Sequence, residues 1–214
     1  MTRALLTLLL LAAGCALTSR SEPMQVRYFS AEIAGDARDR APQTAAPAAP
    51  LNLRLERVRS SSHLGASIAY RTGTHELGYY EDERWTERPE SFLERGLERA
   101  LFQERGVTRV VGGASEALSV ELTAFEEVRG PSPLGRVEVT ITLHDERASQ
   151  LEQTIRVERP IPNTGKDTAS RTVAALSEAL DAVIEQVAQV VTQRLHALAA
   201  TEPAAGSSAE AAAR

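Results

Sequence analysis

The 214-residue chain alternates between two hydrophobic periods, and the places where the period changes divide it into elements. Residues 25–33, QVRYFSAEI, alternate well enough for a first strand, with Val26, Tyr28 and Ser30 on one face. LNLRLERV at 51–58 restarts a period of two with Leu51, Leu53 and Leu55, then shifts phase to Val58. ASIAYRT and HELGYYE flank Gly73-Thr74 and read as a hairpin, with Leu77 and Tyr79 on one face and Gly78 and Tyr80 on the other. Downstream, EALSVELTAFEEV carries Leu118, Val120, Leu122 and Ala124 with a slip to Phe125. GRVEVTITLHDE places Val137, Val139, Ile141 and Leu143 inward. SQLEQTIRVERP does the same with Leu151, Gln153, Ile155 and Val157. These last segments predict consecutive antiparallel strands joined by short turns. VTRVVGG at 107–113 reads as a further short apolar strand.

Two segments carry the helical period instead. After Trp85, TERPESFLERGLERALFQERG has Phe92, Leu93, Leu97, Ala100 and Leu101 at helical spacing. Pro89 is tolerated in a first turn, where its missing N–H is no loss, and Gly106 is a natural stop. From Asp167 or Thr168 a second stripe runs through Val173, Leu176, Leu180, Ile184, Val187 and Val191 to Leu198. Asp167 is placed to cap it. Strands, a helix, more strands and a long C-terminal helix predict an α+β two-layer sandwich, with a mixed or antiparallel sheet and both helices on one face. The alternating polar residues leave the other face to solvent or a partner.

The remaining stretches do not fit a core. Residues 34–50, AGDARDRAPQTAAPAAP, are rich in alanine and proline and read as a flexible loop, and 202–214 as a low-complexity, disordered tail. Residues 4–13 form an apolar run broken only by Thr7, too short to cross a hydrocarbon core at about 20 residues but suited to a secretory signal. LLLAAGC follows at 9–15, ending in the only cysteine of the chain. The pattern resembles a bacterial lipobox, which implies cleavage before Cys15 and its acylation. The chain then divides into a signal peptide (1–14), a lipidated tether (15–24) and one domain (25–201). Two or more acyl chains hold a protein stably in a leaflet, where one holds it marginally. Ala16, in place of an aspartate after the lipidated cysteine, fits export to the outer membrane.

Charge and cysteine content narrow the function. Arg3 is the only charged residue in 1–14, so cleavage takes the formal charge from −5 to −6. A net acidic chain is a poor nucleic-acid partner. With no second cysteine, the mature chain has no internal disulfide and relies on packing in an oxidising compartment. No catalytic constellation survives inspection: His63, His75, His144 and His196 lie in different elements without metal-ligand spacing. Gly112-Gly113-Ala114-Ser115 reads as a strand-ending turn, and His144-Asp145-Glu146 as a hairpin turn. The reading is a non-enzyme, with no cofactor and no metal site.

One group stands out. Tyr70, Arg71, Tyr79, Tyr80 and Trp85 hold four of the nine aromatics within sixteen residues. Tyrosine, tryptophan and arginine are enriched at binding hot spots. The group reads either as a partner-binding surface or as packing beneath the first helix. An Arg71→Glu change is expected to weaken partner binding and spare the fold.

Taken together, the lipobox at Cys15, the RYF strand, IAYR at 68–71, LGYYEDERW at 77–85, the amphipathic helix after it and the long C-terminal helix resemble the ABC-type transport auxiliary lipoproteins. That resemblance implies a non-catalytic, outer-membrane-anchored periplasmic subunit. It would serve an intermembrane lipid transport system, with a periplasmic mammalian-cell-entry (MCE) domain protein and ABC transporter or permease subunits as partners. A homo-oligomer would suit docking on a symmetric tunnel. The competing reading is a lipoprotein activator of a cell-wall (peptidoglycan) synthase. The nine residues after Cys15, 16–24, weigh against it, since at full extension they reach only about 30 Å.

Overall fold

Strand β7, Ala117–Arg129, is the spine of the sheet. Its thirteen residues alternate as the sequence predicts, with Leu118, Val120 and Leu122 buried. An irregularity between Leu122 and Ala124 resets the phase, so that Phe125 faces the core. One edge of β7 pairs along its whole length with antiparallel β8, Leu134–His144, which in turn pairs with antiparallel β9, Ser149–Pro160. The other edge is shared by three short strands laid end to end, all parallel to β7. These are β2 (Asn52–Leu55), β3 (Arg59–Ser60) and β4 (Ser67–Thr72).

The computed structural model describes residues 25–31, 51–113, 115–165 and 167–201. Residues 1–24, with Cys15, residues 32–50, with the whole of the 34–50 segment, and the 202–214 tail lie outside them. Among the described residues the sheet has nine strands. β5, Glu76–Trp85, turns back on β4 through Gly73, whose φ of 67° favours glycine. β1, Arg27–Phe29, adds to β5 in parallel, and β6, Thr108–Arg109, adds to β2 in parallel. The sheet is therefore mixed.

Helix α1, Pro89–Glu98, begins with Pro89 in its first turn and buries Phe92, Leu93 and Leu97. It continues into a π-helical segment, Arg99–Glu104, wider than the regular helix the spacing predicts. Ala100 and Leu101 both point inward there, and Gly106 at φ 64° ends it. Helix α2, Thr168–Thr201, lies across β8 and β9 and touches α1. Its stripe of Leu176, Leu180, Val183, Val187 and Val191 is fully buried, each side chain contributing about 1.5–3 kcal/mol over exposure. Gly135 on β8 lets the helix approach: a Cβ there would sit 3.1 Å from the backbone of Ala175 and Leu176. One core, on one face of the sheet, joins both helices to the strands, as the α+β sandwich requires.

Some local expectations are corrected. Val26 and Tyr28 lie on the exposed side of β1, and it is Phe29, with Ala31, that reaches the core. The 107–113 strand shrinks to Thr108–Arg109: Val107 is buried, but Val111 is 91% exposed beyond the last pairing. Gln153 on β9 is exposed beside buried Ile155 and Val157.

Candidate docking site on the outer face

The face of the sheet away from the helices is a lattice of charge. Register fixes which residues share it: Ala69 pairs with Glu126, Glu126 with Arg136, and Arg136 with Glu158. Arg71 on β4 reaches diagonally to Glu126 on β7, with Nε donating to Oε1 at 2.7 Å and Nη2 to Oε2 at 3.0 Å. Glu126 is 1% exposed, although it sits on the face without helices, because Arg71 and Arg136 close over it. Its hydrogen bonds hold the Arg71 guanidinium above its usual pKa. Arg136 Nε also donates to Glu158 at 2.8 Å, and Arg156 Nε to Glu138 at 2.5 Å. Tyr79, opposite Ala69, projects from this face at 42% exposed, its hydroxyl donating to the His63 carbonyl at 3.0 Å.

The next residue along each strand faces the other way. Tyr70 and Tyr80 form an edge-to-face pair with centroids 5.9 Å apart, and the Arg129 guanidinium lies 3.3 Å over the Tyr70 ring. The Tyr80 hydroxyl donates to Glu127 at 2.5 Å and lies 3.3 Å from Thr172 Oγ1 on α2. Arg129 Nε donates to Glu127 at 3.2 Å. Burial pushes the Tyr80 phenol up, and the Glu127 carboxylate pushes it further. This cluster anchors the first turns of α2 to the sheet. Gly78 gives the Tyr70 ring its room, since a Cβ there would fall 2.4 Å from it.

Trp85 belongs to neither group. At 2% exposed, it packs at 6.0 Å from Phe92 and 5.0 Å from Phe125 by ring centroids. The five residues singled out by sequence thus split three ways: Arg71 and Tyr79 outward, Tyr70 and Tyr80 under α2, and Trp85 into the core, where no partner reaches it.

Glu126, Glu127 and Arg129 were missed, and they organise both clusters. Their signal was the FEEVR end of an otherwise apolar strand. Consecutive glutamates in a strand point to opposite faces, and each needs a counter-charge when buried.

The loops hold turns. Asp145 Oδ1 accepts the N–H groups of Arg147 and Ala148, which lowers its pKa and closes the β8–β9 hairpin. Among the described residues no three His, Cys, Asp or Glu side chains converge as a metal site. No described helix is long and apolar enough to cross a membrane.

Residues 36–188 match the family described as ABC-type transport auxiliary lipoprotein component. The chain belongs to that family. Solved structures share the fold at low identity. The protein XCC0632 from Xanthomonas campestris aligns at a TM-score of 0.69 and 18% identity, over 82% of this chain and 100% of its own. An uncharacterized protein aligns at 0.58 and 15%, covering 78% and 99%. The hypothetical protein CT253 from Chlamydia trachomatis aligns at 0.50 and 8%, covering 69% and 98%. No curated protein matches the chain. This auxiliary lipoprotein is therefore placed by its family, and its fold agrees with that placement.

Proposed function

We propose that this auxiliary lipoprotein is a non-catalytic docking subunit of an MCE/ABC-type intermembrane lipid transport system. Lipid on Cys15 anchors it to the periplasmic face of the outer membrane, residues 15–24 are the tether, and residues 25–201 are the docking body. The family match over residues 36–188 carries this reading. The lipobox ending at Cys15 supports the anchor, since small residues precede a lone cysteine after a short apolar run. The outer face supports docking. Its Arg–Glu pairs fix the side chains in place before a partner arrives, which lowers the ordering cost of association, and Tyr79 adds an exposed aromatic among them.

A mild crosslink followed by membrane pull-down and mass spectrometry tests the proposal. Recovery of an MCE-domain protein or of ABC transporter subunits is the expected result, with less recovery from a Tyr79→Ala variant of unchanged melting temperature. Recovery of a cell-wall synthase without those subunits would overturn it. Cys15→Ser is expected to release the chain from membranes, and a Cys15→Ser protein that still fractionates with them would remove the lipid anchor.

A further inference from the structure

Among the described residues four large hydrophobic side chains are exposed, and three of them gather at one edge of the outer face: Val26 and Tyr28 at β1, and Tyr79 on β5. Register brings the two tyrosines near each other. Tyr28 stands opposite Arg84 on β5 and Arg84 opposite Ser67 on β4, while Tyr79 stands opposite Ala69, two residues further along β4.

Alternation holds Val26 and Tyr28 outside. Arg27 reaches the other way, to Asp167 at the start of α2, and its guanidinium lies 4.8 Å from the centre of the Phe29 ring. Phe29 itself packs against the core. With those two fixed on the helix side, Val26 at 44% and Tyr28 at 67% exposed have no route inward.

We propose that Val26 and Tyr28 are a second, weak membrane contact, resting in the interfacial layer of the leaflet that holds the lipid on Cys15. This inference rests on the acylation of Cys15. Ten residues, 16–25, separate Cys15 from Val26, so the patch stays within about 35 Å of the anchor. Over so short a link, a contact too weak to hold a free protein is still made. Tyrosine suits that layer, with its ring against acyl chains and its hydroxyl in water. A valine and a tyrosine make a small patch beside the roughly 800 Å² per partner of a stable protein interface. They are enough where an anchor already does most of the holding. The flank of the patch sets the lipid class. Arg27 and Arg84 stand there with Glu81, Asp82, Glu83 and Asp167. That flank is net acidic and repels an anionic leaflet, so the matching surface is zwitterionic phospholipid. Tyr79, one strand further in, stays with the docking face.

The test places the lipidated full chain in phosphatidylcholine–phosphatidylethanolamine vesicles whose acyl chains are brominated near the headgroup, where bromine quenches tryptophan on contact. Trp85, the only native tryptophan, is buried in the core and gives the background. Tyr28→Trp is expected to lose emission in these vesicles relative to unbrominated ones, and to lose less when phosphatidylglycerol is added at low salt. Arg147→Trp is the control and is expected to lose none. It lies on the β8–β9 hairpin, which Arg194 near the far end of α2 reaches through Gln150, whereas Arg27 holds the start of that helix. Both positions are exposed, so both variants are expected to keep the parent's melting temperature. A parent that does not float with the vesicles would overturn the anchor and this contact together. A chain that floats while Tyr28→Trp is quenched no more than Arg147→Trp would overturn the contact alone. So would an unquenched Tyr28→Trp with loss of the transport partner from a Tyr28→Ser pull-down, which would assign the patch to the docking face. Stronger quenching with phosphatidylglycerol would overturn the zwitterionic assignment.

Discussion

Arg71 grips Glu126 through two parallel hydrogen bonds, at 2.7 and 3.0 Å, across the seam between β4 and β7. The arginine is half-exposed and the carboxylate is buried, so the pair is unequal: Glu126 depends on Arg71 far more than Arg71 depends on Glu126. Arg136, at 3.8 Å, is its only other counter-charge among the described residues. An Arg71→Glu change would set a second carboxylate against a buried one. The expectation that it spares the fold does not survive the structure, and Tyr79 is the better probe of docking.

The same geometry makes a stability prediction. Arg71→Met should cost about 1.5–3 kcal/mol, the range for a hydrogen bond to a charged group, since it leaves the buried Glu126 carboxylate poorly compensated. The double variant Arg71→Met/Glu126→Leu should recover most of that loss, because replacing both partners with apolar groups removes the desolvation cost as well. Urea unfolding of the two variants and the parent checks this. A double variant no more stable than Arg71→Met would mean that the guanidinium contributes by packing rather than by charge.

Tyr80 and Glu127 form the corresponding pair on the helix side. Tyr80→Phe removes the hydroxyl that joins Glu127 to Thr172 and should cost about 1–2 kcal/mol. Because burial and Glu127 raise the phenol pKa in the folded state, the fold keeps the proton that the unfolded chain gives up. The stability contributed by Tyr80 is thus fully present below the unfolded phenol pKa of about 10 and is lost as pH rises toward the higher folded value. Melting temperatures measured into alkaline pH should fall less steeply for Tyr80→Phe than for the parent. Parallel alkaline limbs would show that the phenol is not buried as described.

The long elements were legible in the sequence because each owes its burial to its own period. β7, β8, β9 and α2 carry enough apolar positions to fix their inner faces unaided, and even the slip at Phe125 could be read. What was not legible depended on distant pairing. Tyr79 and Trp85 stand an even number of residues apart, so simple alternation puts them on one face. Yet β5 takes five steps, from Tyr79 to Arg84, where β4 takes two, from Ala69 to Ser67. That irregularity turns Trp85 into the core and leaves Tyr79 outside. LNLRLERV and ASIAYRT read as two separate strands with a break between them, and nothing local reveals that β2, β3 and β4 share one edge of β7, or that Arg59–Ser60 in the break is itself a strand. The docking candidates were found as a cluster in sequence, but their division between two faces and a core needed the register.

Gly135 marks the closest approach of α2 to the sheet, and its missing side chain is the reason. Gly135→Ala would ordinarily suit a strand, but the new Cβ meets helix backbone at 3.1 Å, and backbone does not rotate away. The helix must shift against β8 instead, with an expected cost of about 1–3 kcal/mol. Gly135→Val should cost more. Gly130→Ala is the control, because a Cβ there meets nothing within 4 Å. Thermal melts of the three variants rank them, and equal stability of Gly135→Ala and Gly130→Ala would show that the contact is slack.

Asp167 ties the start of the chain's described body to the start of its last helix. Its Oδ1 accepts the Ser170 N–H at 3.2 Å as an N-cap, while Arg27 on β1 donates to both carboxylate oxygens, at 3.1 and 2.5 Å. The hydrogen bonds from Arg27, and then those from Ser170, hold the Asp167 pKa well below the ordinary carboxylate range. A depressed folded pKa contributes stability above the unfolded value of about 3.9, and that stability is lost as pH falls through and below it. Asp167→Asn keeps a capping oxygen but loses the ion pair with Arg27. The variant should therefore be less stable at neutral pH and should lose less stability than the parent between about pH 5 and pH 2. The pair is exposed, so salt should narrow the difference at neutral pH. Limited proteolysis gives an independent readout: with the clamp gone, cleavage near β1 should accelerate while cleavage within α2 does not. Unchanged cleavage near β1 in the variant would show that the parallel pairing with β5 holds that strand without help from Asp167.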